Sequence, residues 1–584
     1  MITLVATLAV VVALAFAAPL LLPAPAAKSI AGAMLGKVLG HPVKIAGKAE
    51  ISLLPTFRLD VEGISAVASD VPEAPLLFDI PRIRVEAEAL PILFSRIHIR
   101  TIHAEGPVLR LNIDSKGRSN WRRHAEPVRS AVAAGFQPDH DWGLWNELRI
   151  DSIKISDGRA YFQNDKSGRR ISAQGIILSS SNPINTDGGP GFLMHGDAVV
   201  NGEHVGLKFE TGPIRKFLSG DRLPVVGELS SEALKFRYQG AAAKRQFFVS
   251  EGALTIKADD LAVVEQWLGR LLHAPVSGGL EVTARVDING PRLSFDDVLV
   301  RMDGNETKGA VIVSVDGRGK THIAATLTAD TFDLTPFVPL IQRSDGAVSA
   351  PNFLSLMIAN EFNGTLGIHW DGLKYAGLKT GAGNAKIVLG GRNRRLDVEI
   401  SIAKLYQGRG KGRLQFGVSE GMSSLKLGFN ARKVDVGEFL ADALGEPPSL
   451  SGHVDWSVEL FSVGGTAAEL VAALYGQGQF NLTRGDIHDG KLINHLMDGG
   501  SDRFAYDQIL GSFSIRQGII SGDDLLLRAP NVSLVGAGQI DLAGNRVNVD
   551  LRSLSAPGRN TATLKTVTPF KIEGTLAAME FRAE

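Results

Sequence analysis

Three short clusters hold residue types that could do chemistry. Gly319-Lys320-Thr321 matches the tail of a phosphate-binding loop, in which backbone N–H groups and a lysine cradle a nucleotide. The full motif needs a glycine five residues before Gly319, and Ser314 stands there. The cluster also lies between two alternating runs, Val311–Val315 and His322–Leu327, whereas a phosphate cradle needs a strand-to-helix turn. A hairpin turn is therefore expected. Gly408-Arg409-Gly410-Lys411-Gly412 superficially resembles a dinucleotide loop, but its glycine spacing is wrong and no helix follows, so a basic, glycine-rich strand edge or turn is expected. Asp486, His488, Asp489 and His495 suggest a metal. The two histidines are seven apart, not the four that would place both on one ion from one helix face, so a polar turn leading to a short helix at Leu492–Met497 is expected. There is no Gly-x-Ser-x-Gly elbow and no carboxylate pair that stands out. Cysteine is absent, which excludes disulfides, thiol catalysis and cysteine-ligated metals. No catalytic, cofactor-binding or metal-binding residue is assigned, and a non-enzymatic protein without cofactors is expected.

The elements around these clusters are mostly strands. Leu280–Ile288 alternates apolar and polar residues, and so do Leu396–Ile402 and Val547–Leu551. Such runs recur from about residue 45 to the end. Turn signals separate them: Asp157-Gly158, Asn201-Gly202, Asn289-Gly290, Asp316-Gly317, Asp371-Gly372 and Asp489-Gly490. Short helices are expected at Leu261–Leu272, Phe332–Leu340 and Val434–Leu444, each beginning near an acidic-apolar step. Two irregular stretches, Arg122–Asp141 and Ser179–Phe192, break the pattern. The alternation gives a sheet with one apolar and one polar face. The apolar face is either packed as an ordinary core or filled by acyl chains; Val282, Val286, Val398, Ile400, Val549 and Leu551 are its candidate lining residues.

The chain has 62 basic and 62 acidic residues, so its net charge is zero and a nucleic-acid partner is disfavoured. Residues Met1–Ala27 carry no charged side chain. Ile2–Leu22 is long enough, at about 20 apolar residues, to cross a bilayer as a helix. Its apolar contacts with lipid would come from Ile2, Leu4, Val5, Leu8, Val11, Val12, Leu14, Phe16, Leu20 and Leu22. A retained anchor is expected; the competing reading is a signal peptide cleaved near Ala24-Pro25-Ala26.

An ordered series of motifs follows: Leu39-Gly40-His41-Pro42-Val43, Gly47, Ile51-Ser52-Leu53-Leu54-Pro55, Leu59-Asp60-Val61-Glu62-Gly63-Ile64 and Leu90-Pro91-Ile92-Leu93. Ile97–Ile102, Gly106-Pro107-Val108-Leu109-Arg110-Leu111, Asp114, Gly117-Arg118 and Asn120-Trp121 complete it. A second series comprises Leu405-Tyr406-Gln407-Gly408, Leu474–Gly478, Thr483–Ile487, Gly518-Ile519-Ile520 and Leu534–Leu542. In both series the chain resembles the AsmA family of envelope proteins. The resemblance implies a mainly β fold with short helices: one N-terminal transmembrane helix, then an elongated, curved, antiparallel-rich β-sheet groove. It implies an anchor over 1–27, an N-terminal module over 28–126, a linker or lid over 127–147, a central groove over 148–403 and a C-terminal module over 404–584. It further implies a single-pass inner-membrane protein with its body in the periplasm, passing phospholipid toward the outer membrane. The competing function is a scaffold for outer-membrane proteins or lipoproteins that pairs through exposed sheet edges. No catalytic residue is carried over.

Overall fold

The computed structural model describes residue 28 and most of 43–583; outside the described residues lie 1–27, 29–42, 68–75, 89–97, 121–148, 183–190, 269–277, 337–361, 491–492, 494–502 and 555–568, with shorter breaks elsewhere. All ten anchor positions, from Ile2 to Leu22, therefore lie outside the described residues, as does the 127–147 linker. Among the described residues no helix is long and apolar enough to cross a membrane.

The fold is mainly β with few short helices, and it divides into two compact units: Met1–Leu271 with Gly278–Leu293, and Leu272–Ser277 with Ser294–Glu584. In each, successive strands pair antiparallel with the next in sequence over most of the unit, as alternating runs joined by tight turns dictate. Asn201 and Gly202, both with positive φ (48° and 93°), make the turn between strands Phe192–Val200 and Glu203–Thr211.

Each unit has a parallel join that alternation alone does not announce. In the first, His98–Glu105 and Val108–Ile113 both run parallel to Arg149–Asn164. In the second, Thr321–Asp333 runs parallel to Phe362–Tyr375. Parallel neighbours need a long crossover. The intervening stretches, 114–148 and 334–361, contain the irregular Arg122–Asp141 and most of the expected helix Phe332–Leu340. That helix is corrected at its start: Phe332 and Asp333 end a strand, and Asp333 Oδ1 accepts the Thr335 N–H at 2.9 Å.

Two turn signals are also corrected. Asp157-Gly158 sits within the continuous strand Arg149–Asn164 as a bulge, with Asp157 at φ 51°. Asp371-Gly372 lies inside Phe362–Tyr375, because the chain needs that length to reach the short hairpin with Leu378–Thr380. Asp489-Gly490 lies outside the described residues.

Among the described residues three helices sit at strand ends: α1 (Leu261–Leu268), α2 (Val436–Leu444) and α3 (Ala467–Ala472). Asp260 Oδ1 accepts the Ala262 N–H at 2.8 Å, and Asp435 Oδ1 accepts the Glu438 N–H at 2.9 Å. Each aspartate satisfies a donor that the first helical turn leaves free. The expected start at Val434 moves to Val436, since Val434 still pairs with Val454.

Candidate functional site

Residues opposite one another in a ladder share a face, so register alone traces the apolar surface. In the first unit one row runs Val61–Ile83–Ala104–Ile155–Leu178–Gly196, then Leu207–Leu229–Phe236–Ile256–Val282. In the second unit one row runs Val311–Ala325–Leu366–Ile387–Val398–Leu414–Leu427–Leu460, then Gly476–Ile515–Ile520–Ile540–Val547. No charged residue interrupts either row. At about 4.8 Å per strand, the first row covers roughly 50 Å and the second roughly 60 Å.

These rows are not uniformly sealed. Val61 is fully buried, but Leu207 is 37% and Phe236 36% exposed. Ile387, Val398, Leu414, Leu427 and Leu460 are half-buried, while Ile515 and Val547 at the far end of the second row are buried. Toward the α2 end of the second unit the face becomes core. Ile402, Ala431, Val434, Val454 and Leu482 are buried, with Phe439 and Leu440 of α2 packed against the same cluster. Toward the opposite strand ends, Leu389, Leu396 and Phe416 form another buried cluster. The half-buried row passes between these two.

The six candidate lining positions fall on both kinds of surface. Val282 is half-buried and Val286 buried on the same face of Leu280–Asn289. Val398 and Ile400 are half-buried next to Ile402. Val549 is half-buried, and Leu551, two residues on, is buried in the large cluster. Register therefore brings Val398, and through Gly538 also Val549, onto the second unit's apolar face. Val282 and Val286 belong to the first unit. The sequence reading missed Leu207, Phe236, Leu414, Leu427 and Leu460; alternation within their own strands was the signal that could have found them.

Glycines shape this surface. A Cβ on Gly412 would come within 2.9 Å of the Phe429 ring, and one on Gly410 within 2.8 Å. A Cβ on Gly383 would meet the Trp370 ring at 2.7 Å. In the first unit the Tyr238 hydroxyl lies over both Gly240 and Gly252. Rings thus lie across glycines of adjacent strands. This explains Gly408-Arg409-Gly410-Lys411-Gly412: it opens the strand Gly408–Ser419, with Gly410 and Gly412 beneath Phe429 and the cations on the other face. The strand is paired on both sides, so it is an interior strand and not an edge.

The described members of the remaining clusters make local hydrogen bonds. The strands Asn305–Val315 and Thr321–Asp333 pair antiparallel up to the pair Val315 and Thr321, where the Asp316 N–H donates to the Lys320 carbonyl and Asp316 Oδ1 accepts the Lys320 N–H, both at 2.9 Å; Gly319 lies outside the described residues. Ser451 Oγ donates to the Asp486 carbonyl and accepts its N–H; Asp489 and His495 lie outside the described residues, and among the described residues no cluster fits a metal ion. Tyr406 and Gln407, at φ 41° and 67°, form a tight turn. The Tyr406 hydroxyl donates to Asp442 on α2 at 3.1 Å and accepts the Lys379 N–H at 2.9 Å, and burial pushes its pKa up to about 12. Near the N-terminus, Asp60 accepts two hydrogen bonds from Arg82, at 2.8 and 2.6 Å; these bonds hold its carboxyl below the usual range. Gly63 stands at φ 65° beside the Gly47 backbone, and a Cβ on Gly47 would come within 2.6 Å of the Glu62 carbonyl, which accounts for both glycines of the N-terminal motifs.

A mainly antiparallel sheet with a continuous, incompletely sealed apolar face and short helices at its strand ends defines an apolar-faced β-meander protein. The AsmA family model matches residues 1–301, and the chain belongs to the AsmA family. No curated protein matches the chain. No solved structure matches it either.

Proposed function

We propose that this protein carries phospholipids along its apolar face, as a non-enzymatic envelope protein anchored in the inner membrane by Ile2–Leu22 with its body in the periplasm. Family membership supports the envelope setting. One observation carries the lipid reading: an unbroken apolar row in each unit keeps large side chains such as Phe236, Leu207 and Val398 partly accessible. A row packed as a dry core would have every member buried, as Val61 is. Partial exposure of a continuous apolar row instead fits a surface completed by a mobile apolar ligand. The polar opposite face, which carries Glu399, Lys411 and Asn430 at the same strands, needs no such cover. A curved sheet with this face inward would form the groove.

Mass spectrometry of lipids retained by residues 28–584, released in the periplasm and purified without detergent, tests the proposal. Several phospholipids per chain are expected, and clearly fewer in V398D/I400D. A monodisperse, lipid-free wild type would overturn it and favour the scaffold reading.

A further inference from the structure

The polar face of the second unit carries a feature that lipid carriage does not use. Arg409 and Arg432 stand directly opposite each other on adjacent strands, an arrangement that opposes strand pairing. Lys411 follows Arg409 on the same face. All three are exposed, and none forms an ion pair among the described residues. Asp455 on the adjoining strand already accepts the Lys433 N–H at 2.6 Å. The strand cannot roll these cations inward, because its other face holds Gly410 and Gly412 beneath the Phe429 ring.

Further along this face, on the strand of Arg432 and the next two strands, stand apolar groups. Phe461 is 50% exposed and Tyr475, directly opposite it, 46%. Met422, at the start of the strand that carries Arg432, is 47% exposed. Lys426 stands opposite Phe461. Alternation puts all of these opposite Leu425, Leu427 and Leu460, so they are not part of the apolar row.

We propose that this outer face docks on an anionic phospholipid bilayer surface, with Arg409, Lys411 and Arg432 at the phosphates and Phe461, Tyr475 and Met422 entering the interface. Charge complementarity accounts for the like-charged pair: the repulsion that weakens strand pairing is relieved against anionic headgroups. The aromatic and thioether groups distinguish a bilayer from an acidic protein or a free anion, since exposed aromatics beside cations suit the boundary between headgroups and acyl chains. With zero net charge, the chain has no general positive field to do this, so the effect must be local.

The test uses the full chain reconstituted in phosphatidylcholine vesicles and measures capture of a second, labelled vesicle population. It does not depend on lipid being carried, so its failure and that of the proposed function are distinguishable. Vesicles containing about one third phosphatidylglycerol are expected to be captured, and capture should fall as salt rises. At roughly fivefold per cation, R409E/K411E/R432E is expected to weaken capture by about a hundredfold. The charge-preserving R409K/K411R/R432K should retain capture, and F461S/Y475S should weaken it while leaving its salt dependence. Equal capture of pure phosphatidylcholine vesicles, or undiminished capture by a folded R409E/K411E/R432E, would overturn the proposal.

Discussion

Gly412 and Tyr406 show what single residues contribute. Glycine at 412 lets the Phe429 ring lie across the adjoining strand, so the apolar face gains an aromatic group that lies flat along it. Tyr406 closes a turn and fastens α2 to it through Asp442. Burial raises the pKa of Tyr406 and of Tyr506 to about 12. Folding therefore favours their neutral forms. That contribution is fully present below the ordinary tyrosine pKa near 10 and is lost as pH rises through about 12. Phenolate absorbance at 295 nm should show two of the six tyrosines titrating near pH 12, and Y406F should remove one of them. Tyr406 and Tyr506 titrating near pH 10 would contradict the packing described. The Gly408–Gly412 run was legible as strand rather than dinucleotide loop, because its glycine spacing is wrong and no helix follows it. The rings over glycines were not legible, because which glycine meets which ring depends on register between strands far apart in sequence.

Strands were the most legible elements. Alternation fixed the inner and outer faces of Leu280–Asn289, Arg395–Leu405 and Arg546–Ser553, because period two leaves each side chain only one face to occupy. The two parallel joins were hidden, since an alternating run reads the same whichever way its neighbour runs. Asp157-Gly158 looked like a turn because a bulge and a turn both favour a residue that tolerates positive φ. The starts of α1 and α2 were marked by their capping aspartates to within two residues, whereas the expected start at Phe332 is strand and α3 had no such mark. The Asp435 cap has a measurable consequence. D435A removes the acceptor for the Glu438 N–H, at a cost of about 1 kcal/mol. Amides of Val436–Leu444 should then exchange about fivefold faster with solvent deuterium, the local equivalent of that energy. Unchanged exchange would show that packing of Phe439 and Leu440, rather than the cap, holds α2.

At the scale of the molecule, the same plan appears in both units: a meander, an apolar row crossing more than ten strands, a parallel join and short helices at strand ends. The family match takes in residues 1–301, including the N-terminal motif series and the whole first row. Sequence could lay out the apolar face, but not how far protein itself covers it. Val286 and Val282 have the same residue type and the same strand face, yet one is buried and the other half-buried. Only packing decides that, and the half-buried class is where lipid would lie. Site-specific photo-crosslinking in the full-length protein, in cells, tests this most directly. A benzophenone side chain at Val398, Leu427 or Phe236 should yield phospholipid adducts. The same group at Arg237, Lys257 or Asp550, on the polar face and away from the Arg409, Lys411 and Arg432 patch, should yield none. Adducts from neither set, or equally from both, would contradict a lipid path along the apolar face.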